Sequence, residues 1–270
     1  RLRGWALAAH LFYVSPYLLV WTLALCCQPR SAPVYSAASV VHAATNQQVL
    51  APNTFGTIYG KGLSWSTRAL GPADLLGNFL PPYLLGTGVT VFVDGFAAPV
   101  FYVSPEQINF LVPNTALPER EAKVRVNLDG VSGPEVNVRL KAVAPGLFLR
   151  DPETVAAVRL DGSVLSEKNL ARGGEDVVLF ATGLGPLTPE PYYMEVVRTA
   201  APLARRAEFR VLLNGVAVED QRIRYAGAAP GFAGLYQINL WLPEGTAAWP
   251  EVRVGVGEVL SQAGVRLPVQ

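Results

Sequence analysis

Tyr102-Val103-Ser104-Pro105-Glu106-Gln107-Ile108-Asn109-Phe110-Leu111-Val112-Pro113 decides the reading of this chain, because the chain writes a second version of it. That version is Leu235-Tyr236-Gln237-Ile238-Asn239-Leu240-Trp241-Leu242-Pro243. In both, Gln-Ile-Asn is followed by three apolar residues and a proline. Successive side chains of a strand point to opposite faces. Ile108, Phe110 and Val112 therefore share one face, as do Ile238, Leu240 and Leu242, while each Gln and Asn looks the other way. The proline removes a ladder donor and ends the strand. The pattern predicts a core β-strand in two copies.

Outward from the first copy, Pro33 to Val41 reads as an opening strand, and Thr54 to Tyr59 alternates into a second that ends at Gly60-Lys61-Gly62. A long loop follows over 64–88, rich in Gly, Pro and aromatics. Val89 to Phe101 reads as a hairpin about Asp94-Gly95, and Lys123–Leu128 with Pro134–Val143 as another about Asp129-Gly130. Ala144-Pro145-Gly146-Leu147-Phe148 closes this unit. The second unit repeats the order. Thr154–Leu160, Asp161-Gly162 and Ser163–Leu165 lead in, and Asp176–Pro186 matches the earlier strand and turn. A loop holding Pro186, Pro189, Pro191, Tyr192 and Tyr193 replaces 64–88. Phe209–Leu213, Asn214-Gly215 and Val216–Tyr225 form its hairpin, and Gly227–Gly234 reads as a loop insertion before Gln237. Glu251–Val256 and Val265–Val269 finish the sheet. No amphipathic helix is expected after residue 42.

Short strands, frequent turn signals and missing helices predict an all-β chain of two tandem immunoglobulin-like antiparallel sandwiches. The expected divisions are 1–32, 33–149 and 150–270. Residues 4–29 carry no formal charge with His10 neutral, and Arg1 and Arg3 precede them. That is the layout of an export signal; a retained membrane anchor and a buried structural segment are the alternatives. Ala24-Leu25-Cys26 offers a small-x-small cleavage site. Cys26 and Cys27 are adjacent, and the rest of the chain has no cysteine, so both sandwiches must stand on packing.

The ordered pieces resemble the uncharacterised C-terminal domain family of secreted acidobacterial (Solibacter-type) proteins. They are Ala51-Pro52-Asn53 through Gly60, Val91–Gly95, Tyr102–Asn109 with Val112-Pro113, and Ala144–Phe148. Ala181–Pro186, Tyr225-Ala226-Gly227, Pro230-Gly231-Phe232 and Gly234–Asn239 continue the series. The resemblance covers about residues 33–270. It implies export and a pair of immunoglobulin-like β-sandwiches related to the IPT/TIG type (IPT/TIG-like), and it supplies no activity or catalytic residues.

The chemistry available is narrow. Lys and Arg total 22 against 21 Asp and Glu, with no basic run, which argues against a nucleic-acid partner. The only histidines are His10 and His42, the latter expected at the surface near the first strand. Nucleophile–base catalysis and zinc or copper sites therefore lose their usual groups. Carboxylate-pair hydrolysis survives that test, but Asp94, Asp129 and Asp161 each precede Gly in a turn, where the side chain serves local backbone geometry. Gly183-Leu184-Gly185 lacks the following helix that a phosphate cradle needs, because Pro186, Pro189 and Pro191 intervene. No catalytic residue, metal site or cofactor is assigned.

Two sets of residues remain as candidates. Gln107 with Asn109, and Gln237 with Asn239, are read as structural amides that satisfy backbone groups of loops folded across them, with ligand binding as the alternative. Trp65, Phe79 and Tyr83 in one unit, and Tyr192 and Tyr193 in the other, sit on loops of the kind that carry binding surfaces. They are read first as core-capping residues and otherwise as contacts to a sugar or protein. The expected function is an exported, non-catalytic module for adhesion, protein interaction or assembly at the cell envelope. The alternatives are a carbohydrate-binding module and a subunit of an extracellular polymer that uses its N-terminal segment. The expected partner is a protein or glycan at the cell surface, with membrane contact only through residues 1–32 if these are retained.

Overall fold

Both Gln-Ile-Asn stretches lie in the middle of antiparallel sheets, with their apolar residues turned inward. Ile108, Phe110, Val112, Ile238, Leu240 and Leu242 are all fully buried. The structure, a computed structural model, describes residues 31–270, so the export-signal reading of the N-terminal segment, with His10, Cys26 and Cys27, lies outside the described residues.

The first sandwich is built from β1 (Val40–His42), β2 (Phe55–Tyr59), β3 (Arg68–Ala69), β4 (Val89–Val93), β5 (Phe96–Ala98), β6 (Val100–Val103), β7 (Gln107–Leu111), β8 (Arg120–Leu128), β9 (Val131–Ser132) and β10 (Val136–Leu140). One sheet runs β1-β2-β7-β6-β3 and the other β10-β8-β4-β5, with β9 on β8. The second sandwich holds β11 (Gly146–Leu147), β12 (Leu149–Asp151), β13 (Thr154–Val155), β14 (Ala157–Arg159), β15 (Asp176–Thr182), β16 (Phe209–Leu213), β17 (Val216–Ala217), β18 (Ile223–Ala228), β19 (Tyr236–Trp241), β20 (Val252–Val256) and β21 (Val259–Leu260). Here β11 and β14 both pair with β15 along the outer edge of β15-β19-β18, and the facing sheet is β17-β16-β20-β21. In each sandwich the first sheet has the A-B-E-D order and the second the G-F-C-C′ order of the immunoglobulin type. The described residues contain short 3-10 turns and no α-helix.

Register makes the duplication a matter of geometry. Phe55↔Leu111 to Tyr59↔Gln107 in the first sandwich matches Asp176↔Trp241 to Phe180↔Gln237 in the second. A bulge falls at Phe101 in β6 and at the equivalent Arg224 in β18. The hairpin turns match too: Asp94-Gly95 and Asn214-Gly215 have φ of 50°/83° and 49°/79°. In both, the turn side chain accepts a backbone amide 2.9 Å away, from Lys123 and Glu251. Cores differ by compensation. The Phe110 ring lies where a Cβ on Gly56 would come within 2.6 Å of it, whereas the second sandwich pairs Val177 with Leu240.

Four sequence expectations need correction. Pro33–Val41 is not one strand: Val34 bridges to Lys61, Ala37–Ser39 is a 3-10 turn, and only the end pairs with β2. Tyr35 imposes this, since its hydroxyl donates to the Pro134 carbonyl at 2.5 Å and accepts from the Val126 amide at 2.7 Å, pinning the segment to the other sheet. The chain also enters the second sheet before residue 150, because Gly146–Leu147 pair with Thr182 and Ala181. Val216–Tyr225 is broken by a 3-10 turn at Asp220–Arg222. Finally, Gly227 and Ala228 belong to β18, so the extra length before Gln237 is divided between residues 218–222 and 229–235.

Residues 32–270 form one compact unit, and a third apolar cluster joins the two sandwich cores. Leu80, Leu111, Val196 and Ala233 are its buried members, with Phe55, Phe101 and Met194 packed against them. Phe55 meets Phe101 edge-on at 4.9 Å and Phe148 at 6.1 Å. The Thr182 hydroxyl accepts from the Phe55 amide at 3.1 Å and donates to the Gly234 carbonyl at 2.9 Å. Gly183 has φ +74°, and a Cβ there would sit 2.0 Å from the Ala144 carbonyl oxygen. Its equivalent in the first sandwich, Gly62, has φ +63° with open space around it. Gly62→Ala should therefore cost only the left-handed strain, about 1–2 kcal/mol. Gly183→Ala should cost clearly more, because the clash with Ala144 adds to the same strain. Paired chemical melts check this, and equal losses would contradict the account of the junction.

Candidate functional site

The first sandwich's long loop, residues 64–88, is ordered by its own polar residues. Arg68–Ala69 pair with β6 and thereby cover the exposed edge of that sheet. The Asp74 carboxylate accepts the Gly71 amide at 2.8 Å and meets the Arg68 guanidinium at 2.5 Å. These contacts, the backbone amide first, hold its pKa below the ordinary carboxylate value. The second sandwich repeats the device, since Leu203 donates to Ala226 and Ala228 donates to Ala201 across the edge of β18. The two long loops then pair with each other. The Leu80 amide donates to Met194 at 2.8 Å, the Val196 amide to Asn78 at 2.7 Å, and the Arg198 guanidinium to the Asn78 side chain at 2.6 Å.

This pairing sorts the five candidate aromatics. Tyr193 becomes a clamp: its hydroxyl donates to the Ala97 carbonyl and its ring meets Phe96 edge-on at 6.4 Å. Burial pushes its phenol pKa up to about 12. Trp65, Phe79, Tyr83 and Tyr192 are instead exposed, at 54%, 43%, 47% and 78%, which corrects the core-capping reading for these four. Trp65 is held by its indole N–H, which donates to Asp129 at 3.0 Å, and Phe79 by a backbone bridge to Glu195. Leu76 and Leu85 on the same loop are also exposed, and sequence reasoning missed them because it weighed only rings.

The repeated amides do not hold the loops. Gln107 donates to Asn109 at 2.8 Å and Gln237 to Asn239 at 2.7 Å, each pair closing on itself along one strand face. Thr57 adds a third contact to Asn109 at 3.2 Å. Residues two apart on a strand share a face, so an amide pair at that spacing can bond without help from a loop. Asn239→Ala should then lower stability by only about 0.5–1.5 kcal/mol. A loss of several kcal/mol in a denaturant melt would restore a loop-anchoring role.

His42 is buried, not at the surface. Its Nε2–H donates to the Ala144 carbonyl at 3.0 Å, while Nδ1 accepts from the amides of Ala44 and Thr45 at 3.1 and 3.2 Å. Both ring nitrogens are thus occupied in the neutral form. It lines a cleft of about 390 Å³ beside the junction, together with Glu119, Lys141 and Arg205. Those charges are already engaged: Glu119 accepts the Ala142 amide at 2.8 Å and faces Lys141 at 3.3 Å, and Arg205 pairs with Glu208. The turn carboxylates serve the backbone, Asp94 through Lys123 and Asp161 through the Ser163 amide at 2.8 Å. Among the described residues no group of His, Cys, Asp and Glu is placed to hold a metal ion.

Burial lowers the His42 pKa below its model-peptide value of 6.5. The unfolded chain therefore takes up a proton more readily, and this part of the stability is complete above pH 6.5 and lost as the pH falls below it. Wild type should lose more melting temperature than His42→Gln on acidification from neutral pH to pH 5. Parallel losses would remove His42 from the account.

No model of a protein family matches the chain, and no curated protein matches it. Among solved structures, it is similar to the surface glycan-binding protein PbSGBP-B from Prevotella bryantii, at 10% identity and TM-score 0.28, over 87% of this chain and 42% of that one. It is also similar to the Bacteroides ovatus mixed-linkage glucan locus SGBP-B, at 11% identity and TM-score 0.32, over 83% and 44%. The tandem Ig repeats of Dlar align at 12% identity and TM-score 0.23, over 89% and 95%. The chain spans less than half the length of the first two, and likeness at these scores carries no argument about what it binds. Its class rests on its own strand order: a tandem immunoglobulin-like β-sandwich protein.

Proposed function

We propose that this chain is a non-catalytic extracellular binding module that engages a protein partner at the cell envelope through the 64–88 loop of its first sandwich. The observation that carries this is the exposure of Trp65, Leu76, Phe79, Tyr83 and Leu85 on a loop whose backbone is tied down at Arg68–Ala69, Asp74 and Phe79. Apolar side chains shown to water on a fixed frame lose little freedom when a partner covers them. The resemblance to secreted acidobacterial domains supports an exported or envelope setting, with residues 1–32 as the export segment and the sandwiches as two domains. Engagement of His42 and of the turn carboxylates in structural bonds supports a role without catalysis.

A second reading, a carbohydrate-binding module, is favoured by Trp65 alone, whose ring is oriented by Asp129 and half exposed, as sugar stacking requires. Binding of the full chain to envelope fractions and to a glycan array separates the two. Protein-dependent binding weakened at least about tenfold by Trp65→Ala and Tyr83→Ala, with melting temperature unchanged, is the expected result. Binding to glycans alone would favour the second reading, and envelope binding indifferent to both substitutions would end the first.

A further inference from the structure

The junction between the sandwiches has an unpartnered equivalent at the far end of the molecule. In the first sandwich, Phe55, Phe101 and Leu111 form the platform on which the second sandwich sits. Register assigns their equivalents in the second sandwich as Asp176, Arg224 and Trp241, with the same bulge at Arg224 as at Phe101. This second platform is charged and aromatic. The Arg222 and Arg224 guanidiniums lie 4.3 and 4.8 Å from the Trp241 ring centroid, and the indole N–H donates to Gly174 at 2.9 Å. Stacking on the ring orders both guanidiniums. Their carboxylate neighbours, Glu219 at 3.5 Å and Asp176 at 3.8 Å, stand beyond good hydrogen-bonding distance.

The opposite end of the first sandwich carries the matching groups. At the junction, Thr182 meets the backbone of Phe55, and the turn before β19 lies over Leu111, where a Cβ on Gly234 would be 2.2 Å from Leu111 Cδ1. By register, Thr182 corresponds to Lys61, and the turn before β19 corresponds to Ser104-Pro105-Glu106 before β7. Lys61 and Glu106 are exposed and have no ion pair among the described residues, and Tyr59 and Val34 beside them are 45% and 63% exposed. Where the junction inside the chain joins Phe55 to Thr182 and Leu111 to the Gly234 turn, the same geometry between two chains would join Asp176 to Lys61 and Trp241 to the turn over 104–106, which carries Glu106.

We propose that copies of this chain join end to end, repeating between chains the junction that holds the two sandwiches together within one, with Lys61 opposite Asp176 and the turn over 104–106 opposite Trp241 and its stacked arginines. The contact uses different surfaces on its two sides, so it is head-to-tail and leaves a free platform at one end of an assembly and a free first-sandwich end at the other. It depends on opposite charges near the surface, so salt weakens it.

Sedimentation of the full chain over a range of concentrations tests this. The expected result is a series of species growing with concentration at low salt and shrinking at high salt. Asp176→Lys and Lys61→Asp should each weaken self-association by roughly tenfold or more. Mixed together, the two variants should regain growth as alternating chains, because the altered platform of one fits the altered end of the other and the unaltered surfaces also match. A monomer at every concentration, a closed symmetric dimer, or association unchanged by Asp176→Lys (as contact through apolar residues 1–32 would give) would overturn the proposal. So would failure of the two variants to combine.

Discussion

Burial of Phe55, Phe101 and Leu111 beneath loops of the second sandwich is the contact on which the molecule's rigidity depends. Without it the chain would be two beads on a short connection, and the first sandwich would expose an apolar platform. With it, three kinds of interaction act together. The rings of Phe55, Phe101 and Phe148 meet edge-on, the Thr182 hydroxyl bridges Phe55 to Gly234, and the long loops add a strip of backbone bonding from Asn78–Leu80 to Met194–Val196. Glycine is required where the backbones come closest, at Gly183 and Gly234, since both have positive φ and a Cβ at either would meet atoms of the other sandwich.

The same loops solve a second problem. A sheet edge offers unpaired backbone groups to any passing strand. In each sandwich the loop after the second core strand returns to cover the edge of the fourth, through Arg68–Ala69 on β6 and through residues 201–203 on β18. Having done so, each loop is fixed in place, and its remaining side chains are displayed on a rigid frame. In the second sandwich that frame is used inward, where Tyr193 clamps Ala97. In the first it is used outward, where Trp65, Phe79 and Tyr83 face solvent.

The titratable groups of the turns and of the cleft beside the junction serve structure. His42 has one ring nitrogen donating and the other accepting within the protein, so it holds the Ala43–Thr45 turn against Ala144. Asp94, Asp161 and Glu119 each accept a backbone amide. The exposed rings, the arginines stacked on Trp241 and the ends of the two sandwiches are what the molecule offers to other molecules.

The sequence by itself determined the sheets. Alternation at Ile108/Phe110 and Ile238/Leu240 requires one buried face, and Asp-Gly and Asn-Gly between apolar runs require tight hairpins. Both are local rules, obeyed within a few residues of where they are written. The duplication was legible for the same reason. Tertiary structure alone decided the fate of side chains whose partners are remote in sequence: Tyr193 with Ala97, Phe55 with Thr182, and His42 with Ala144. It also decided that the equivalent residues Leu111 and Trp241 have opposite fates, one sealed beneath a neighbouring sandwich and one left at the end of the molecule. Spacing along the chain carries strand pairing, but it does not carry which surfaces of two finished sandwiches come into contact, because that depends on shape complementarity formed only after each has folded.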